Sequence, residues 1–344
     1  MNQTNSPVEY RCPACRGKLD PGDQIYRCGR CVLDFPIFFG IPDFRLGGDA
    51  YLSLEEERAK AGKLAARATH ASFEELLDYY YSITDDVSPE LAARYRRYVL
   101  NGPENAKHLV TNMDLEKTEV LLDAGCGTGS FAIAAHASVR RLYVLDIALR
   151  WLIICRKRLE EKGLSAQYVC ADICNMPFPD ASFDSVGAID VLEHTHDTMA
   201  AIDAMIKALT PKGRICITGT NRYVLGPHPS GRIWLAGYMP RPLRSWVSKV
   251  LCGYDSLRHT RLLSPFSVQA RFEQSGIVGT QLWPRRIGAN AGHGYSDSAQ
   301  WLIRIYRWMS ENFLLRPLMI TFGPTFELIA TRLTTAVSEK EPTK

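Results

Sequence analysis

The sequence predicts an α/β fold: a doubly wound parallel sheet flanked by helices, with a small cysteine-rich module in front and an insertion late in the chain. Three observations lead there. From residue 119 onward short apolar runs alternate with amphipathic helical stretches, the pattern of strands joined through helical crossovers. The first run opens into a glycine-rich loop, "LLDAGCGTGSF" at 121–131. Ahead of both, four cysteines form two tight pairs. With 344 residues and 46% hydrophobic content, the chain can bury a sizeable core, one large domain with attachments. A formal net charge of +4 makes no general case for a nucleic-acid binder, so any electrostatic clue must be local. The start, "MNQTNSPVEYRCPAC", lacks the apolar core of a signal peptide, and no run of 18 apolar residues occurs. A cytoplasmic protein is expected.

Residues 1–45 hold "CPAC" (Cys12, Cys15) and "CGRC" (Cys28, Cys31), a C-x2-C-x12-C-x2-C pattern. Four thiolates on two knuckles suit a closed, structural Zn2+ site, and a module this short needs the metal as its core. A redox pair would use one such motif within a βαβ unit, which is missing here. The other six cysteines are scattered through apolar or helical surroundings, as packing thiols are. Residues 46–118 read as a helical linker or cap. Ser72 and Glu75 stand at capping-box spacing, and Pro89 after Ser88 marks another helix start. Tyr79, Tyr80 and Tyr81 can reach a ligand or join the core from this segment.

Residues 119–221 supply the strands and helices of the sheet: "EVLLDA", "RLYVLDI", "AQYVCAD", "FDSVGAID" and "KGRICITGT", with helices between. Ligands of such sheets sit at the carboxyl ends of the strands. A dinucleotide fingerprint needs glycine at 125, 127 and 130, but position 130 is serine and the third glycine is Gly129. Asp123 would repel a pyrophosphate at the loop entrance and attract an ammonium group instead. S-adenosylmethionine has that ammonium, a sulfonium, a ribose and an adenine, and no phosphate. Asp146 then suits the ribose hydroxyls, and Asp172 the adenine amino group with Ile173 beside the ring. Singly, each acid reads equally well as a cap or turn residue. Three at successive strand ends make a coherent set.

The ordered stretches "VLLDAGCGTGSF", "LYVLDI", "ADICNMPFPDASFDSV", "IDVLEHTHD" and "KGRICIT" resemble the motifs of class I S-adenosylmethionine-dependent methyltransferases of the ubiquinone-biosynthesis kind. That resemblance implies a Rossmann-like sheet of seven strands, the late antiparallel one fitted by "FELIATRL" at 326–333. It also implies a cofactor pocket lined by Asp123, Gly125, Cys126, Gly127, Gly129, Asp146, Ile147, Asp172, Ile173 and Asp190. The cysteine module is similar to the zinc ribbon of the small activator subunit of tRNA and protein methyltransferases, which implies a partner protein as one role for it.

Methyl transfer to a hydroxyl benefits from a general base, and His194, His228 and His259 are the candidates. Residues 222–263 form an insertion before a C-terminal part at 264–334 and a polar tail at 335–344. Between 222 and 261 it carries seven Arg or Lys against one acid, Asp255, interleaved with Tyr and Trp. Such a surface suits an anionic, partly apolar acceptor, a small molecule, glycan or lipid-linked compound, or peripheral contact with a membrane. RNA is the competing acceptor, since Arg with Tyr or Trp can stack on bases. However, the fourth strand leads into "IDVLEH" instead of an "NPPY"-like motif of amino-nitrogen methylation, which favours oxygen. A non-catalytic cofactor-binding scaffold is the third reading.

Overall fold

In the computed structural model, whose described residues are 8–84, 87–229, 233–287 and 297–332, the two cysteine knuckles fold alike. Arg16 N–H donates to the Cys12 carbonyl at 2.8 Å and Val32 N–H to the Cys28 carbonyl at 3.0 Å. Both residues after the second cysteine have left-handed backbone, with φ of 62° and 56°. Strands β1 (Leu19–Pro21), β2 (Ile25–Cys28), β3 (Asp34–Phe38) and β4 (Ile41–Pro42) pair antiparallel in that order.

Three helices follow. α1 (Leu54–Ala68) and α2 (Phe73–Ser82) both start in reciprocal capping boxes, Ser53 with Glu56 and Ser72 with Glu75, the second as its spacing predicts. Tyr80 and Tyr81 are buried, Tyr80 with its ring 4.4 Å from that of Trp151, so these tyrosines serve the core. α3 (Pro89–Asn112) starts at the Ser88 cap and runs through Pro103. Pro103 has no N–H for the carbonyl of Val99, and the Arg158 guanidinium takes that carbonyl at 2.6 Å. The one helix hydrogen bond lost at the proline is thereby replaced from another element.

The central sheet combines β5 (Val120–Ala124), β6 (Arg141–Asp146), β7 (Gln167–Cys170), β8 (Phe183–Ile189), β9 (Leu209–Thr220), β10 (Val278–Pro284) and β11 (Thr325–Thr331). The order is β10-β11-β9-β8-β5-β6-β7, with β11 antiparallel to both neighbours and β5 to β9 parallel. Six of the seven strands fall on stretches named from the sequence, whereas β10 was not placed there, and the topological switch lies between β5 and β8. All five residues of β5 are buried, as a strand covered on both faces requires. The crossover helices are α4 (Ser130–Ala135), α5 (Leu149–Glu160) and α6 (Thr198–Ala208). α7 (Arg241–Cys252) lies in the insertion, followed by α8 (Pro265–Gln274), α9 (Asp297–Glu311) and α10 (Arg316–Phe322). The polar tail expected at 335–344 lies outside the described residues.

The ribbon is built into this domain. Asp43 pairs with Cys170 beside β7, and Phe44 N–H donates to the Cys170 carbonyl at 2.8 Å. Arg16 donates to the carbonyls of Met176 and Phe178 at 2.7 and 2.5 Å. Tyr10 stacks obliquely on Phe44 and Phe178, with centroids 4.9 and 6.0 Å away, and Phe178 packs on Phe183 at 4.8 Å. The "MPFPDASFD" stretch therefore carries the seam between ribbon and sheet. Cys12, Leu19, Cys28, Phe35 and Phe44 share one buried cluster with Val120, Tyr143 and Phe178.

Candidate active site

The glycine loop follows β5 at the switch point, and its glycines answer different demands. Gly127 has φ of 50°, and a side chain there would meet nothing within 4 Å, so backbone faces open space. Gly129 caps α4 with φ of 77°, and a Cβ would lie 2.6 Å from the Cys155 sulfur. Serine is accommodated at 130 because its neighbour across the interface is Gly102, where a Cβ would fall 2.1 Å from the Ser130 hydroxyl. The close helix approach that a dinucleotide loop makes at its third glycine is made here one residue earlier.

Asp123 is 2% exposed, and its Oδ2 accepts from Ala132 N–H at 3.1 Å. Burial pushes its pKa up to about 7. Asp146 accepts from Gly127 N–H at 2.9 Å and Ala148 N–H at 2.8 Å, and burial pushes it up to about 6. Both acids lack a cationic partner at contact distance in the described hydrogen bonds and are costly to ionise until a cation arrives. Cys126 and Ile173 are both buried. The Ile147 carbonyl accepts from Arg45 at 3.1 Å. Asp172 accepts from Cys174 N–H at 2.9 Å, with His196 Nδ1 at 3.3 Å from its other oxygen. It borders a cleft of about 340 Å³ whose opposite wall is the joint after the ribbon, including Phe44, Leu46 and Asp49.

Asp190 differs from the other acids. At φ of 58° it follows directly on β8, with both carboxylate oxygens 2.6 Å from the Arg285 guanidinium, Tyr98 OH at 3.0 Å and Thr218 Oγ1 at 3.0 Å. Burial alone would raise its pKa, but Arg285 wins and holds it below the usual range.

Of the three histidines, two converge. His194 Nδ1 lies 3.3 Å from Tyr51 OH, and the Tyr51 ring lies 4.8 Å from that of His259. His194 is exposed at the surface, yet desolvation by the atoms around it holds its pKa below the ordinary value and favours the neutral imidazole. His228 is fully buried within the insertion, its backbone N–H bonded to the Ile233 carbonyl at 2.9 Å, and burial plus Arg244 push its pKa down to about 4. It is not brought to the other two. Arg261 N–H donates to the Glu193 carbonyl at 2.7 Å, tying the end of the insertion beside His194.

Sequence reasoning missed several residues of this site. Arg45, Asp49 and Tyr51 come from the joint after the ribbon, and Glu57 from the first turn of α1. Glu57 accepts the Arg150 backbone N–H at 2.8 Å at the start of α5, and Arg150 also pairs with Asp49 at 3.1 Å. In sequence, Glu57 is one of three acids in the first turn of α1, which reads as a solvated face. Glu193 is 2% exposed, with Oε1 3.4 Å from Thr220 N–H, and burial with Asp190 nearby pushes its pKa up to about 8. Its place between Leu192 and His194 was the available signal.

Comparison with known proteins agrees with this geometry. Residues 122–217 match the family model described as "Methyltransferase domain". A ubiquinone biosynthesis O-methyltransferase of Idiomarina loihiensis is 31% identical over 147 residues, 42% of this chain and 56% of that protein. A demethylmenaquinone methyltransferase of Anoxybacillus flavithermus is 24% identical over 231 residues, 65% of this chain and 93% of that protein. Phosphoethanolamine N-methyltransferase 3 of Arabidopsis thaliana is 27% identical over 136 residues, 39% of this chain and 28% of that protein. The chain thus spans little more than half of the first of these relatives. With the sheet order, the glycine loop and the match in agreement, residues 122–217 belong to the class I S-adenosylmethionine-dependent methyltransferases.

Proposed function

We propose that the chain transfers a methyl group from S-adenosylmethionine to a hydroxyl oxygen of a small or lipid-linked anionic acceptor. The observation that carries the reading is the left-handed glycine loop, whose Gly127 presents open backbone while its N–H is held by Asp146, inside the matched domain. When bound, S-adenosylmethionine supplies an electrophilic methyl on a cationic sulfur. Asp146 would hold the ribose, Asp172 with Ile173 the adenine side, and Asp123 would offset the ligand's positive charge. Relatives named for O- and for N-methylation leave the acceptor atom to the site's own chemistry. His194 supports oxygen: a neutral imidazole beside Tyr51 takes the hydroxyl proton as the oxygen–carbon bond forms. Alignment of the reactants supplies the larger share, roughly 7–11 kcal/mol.

We assign structural zinc to Cys12, Cys15, Cys28 and Cys31. Their sulfurs all lie within 4.8 Å of one another, with Cys12–Cys31 at 3.5 Å and Cys15–Cys28 at 3.4 Å. A tetrahedron with bonds of about 2.3 Å has sulfur–sulfur edges of about 3.8 Å, a length bracketed by the two short edges and the 4.8 Å bound, so the cage fits the ion after a small adjustment. Four thiolates close the coordination shell and leave the metal outside the methyl transfer.

Titration calorimetry tests the cofactor: S-adenosylmethionine or its demethylated product should bind and NAD should not, and the reverse result ends the proposal. His194→Ala should lower kcat/KM about a hundredfold with cofactor affinity unchanged. For the wild type, the acid limb of the rate profile should have its midpoint below the ordinary histidine value of ~6.5, because the pKa of His194 is depressed. An unaltered rate in the variant would remove His194 as the base.

A further inference from the structure

The insertion helix α7 leaves most of its large apolar side chains exposed. Leu243, Trp246, Val250 and Leu251 recur at helical spacing on one face and are 47%, 63%, 63% and 68% exposed. The inward side is held by polar contacts, with Ser248 fully buried and bonded to Ser256 and Ser245 donating to Asp255, and by Val247 alone among the valines and leucines of α7 packing on the Ile233, Ala236 and Leu257 cluster. A helix stabilised only by its own domain would turn that apolar face inward. Arg244 and Lys249 flank the apolar face, Arg241 stands at the first turn, and α7 contains no acid. Arg244 is held below its ordinary pKa by burial and by the like charges of Arg241 and Arg222, with Asp255 offsetting part of that repulsion. Asp255 is the one acid set against these cations between residues 222 and 261.

A second apolar surface comes from the far end of the chain. Trp301, Leu302 and Trp308 on α9 are 58–61% exposed, and Phe313 and Leu314 before α10 reach 79% and 78%. Both surfaces are tied to the end of β9. The Asn221 amide donates to the carbonyls of Ile320, Thr321 and Gly323 at the end of α10, and Asn221 pairs with Leu263, which closes the insertion. Trp and Leu backed by Arg and Lys, without a helix among the described residues long and apolar enough to cross a membrane, is the composition of an element lying in a bilayer surface.

We propose that α7, together with the α9–α10 surface, docks the protein on an anionic lipid bilayer. The apolar face enters the headgroup boundary, and the flanking cations snorkel to lipid phosphates. Docking is independent of the reaction. That the same face brings a lipid-borne acceptor to the site rests on the proposed methyl transfer, since Arg261 ties the insertion to the strand-end segment carrying His194.

Sedimentation of the full chain with vesicles tests it. Phosphatidylcholine vesicles containing one-third phosphatidylglycerol should pellet the protein at least about tenfold more effectively than pure phosphatidylcholine, with binding falling as salt rises. The pair Trp246→Ser and Leu251→Ser changes exposed side chains and should lower binding to the anionic vesicles about tenfold or more. Calorimetric binding of S-adenosylhomocysteine by the variant should be unchanged, which reads folding and the cofactor proposal separately. Equal sedimentation of variant and wild type overturns the docking. So does a lipid-free dimer that the variant loses, which would make the face an interface between copies. Salt-sensitive retention on RNA without vesicle binding also overturns it.

Discussion

Serine at both Cys12 and Cys15 should leave the chain without zinc and with its thermal midpoint lowered by many degrees. Structural zinc contributes roughly 10–16 kcal/mol of apparent binding free energy in small modules, as much as the whole net stability of an ordinary domain. The ribbon's own strands are two to five residues long and cannot replace that contribution. The loss would not stay local. Phe44, Tyr10 and Phe178 form one aromatic seam across ribbon and sheet, so an unfolded ribbon uncovers Phe178 and Tyr143. The joint beyond it is also anchored to the site. Asp43 forks onto Arg45 at 2.7 and 2.8 Å within the interior, and Arg45 reaches the Ile147 carbonyl beside Asp146. Cofactor affinity should therefore fall along with the midpoint, although no cysteine of the ribbon lines the cleft. Metal analysis, thermal denaturation and titration with S-adenosylhomocysteine measure the three effects. A metal-free variant with an unchanged midpoint would refute the site.

The parts legible in the sequence are those written in short-range pattern. Capping at Ser72 with Glu75 needs only a three-residue spacing, and the helix starts where that spacing puts it. The knuckles at Cys12 and Cys28 repeat one turn because each needs only four consecutive residues. Strand ends at Asp123, Asp146 and Asp172 follow from apolar runs and their stops. What failed to show depends on contacts between distant segments. Tyr51 meets His194 across 143 positions, and nothing in "DAYLSLEEER" distinguishes that tyrosine from a surface residue. His228 and His259 look alike in sequence, yet the first is sealed inside the insertion and the second stands beside Tyr51. Ser130 was legible as a departure from a dinucleotide loop, whereas its cause, Gly102 on α3, lies 28 residues upstream in another layer. The basic and aromatic content of 222–261 was visible, but which face of α7 points outward is decided by Ser245 and Ser248 finding polar partners inside.

Asp146→Ala should weaken cofactor binding by about tenfold to a hundredfold while leaving the chain folded. A carboxylate accepting both ribose hydroxyls contributes two charge-assisted hydrogen bonds, and losing them costs on the order of 1.5–3 kcal/mol. The stability terms oppose one another. The variant leaves the N–H groups of Gly127 and Ala148 without their carboxylate, which is unfavourable. It also removes an acid that folding makes harder to ionise. Because the folded pKa of about 6 stands above the unfolded value of about 3.9, the ligand-free wild type loses stability as pH rises between the two, and the alanine variant does not. The midpoint near neutral pH should accordingly shift by only a few degrees. The same displacement gives binding its own pH dependence. A ligand that prefers ionised Asp146 and Asp123 must draw protons from groups with pKa values of about 6 and about 7, so wild-type affinity should rise between about pH 5.5 and 7 with proton release. In the variant the lower part of that rise should vanish and the part belonging to Asp123 should remain. Calorimetry of S-adenosylhomocysteine in two buffers of different ionisation enthalpy separates the two. An unchanged affinity and an unchanged proton count would remove Asp146 from the cofactor site and leave it only the loop it holds in place.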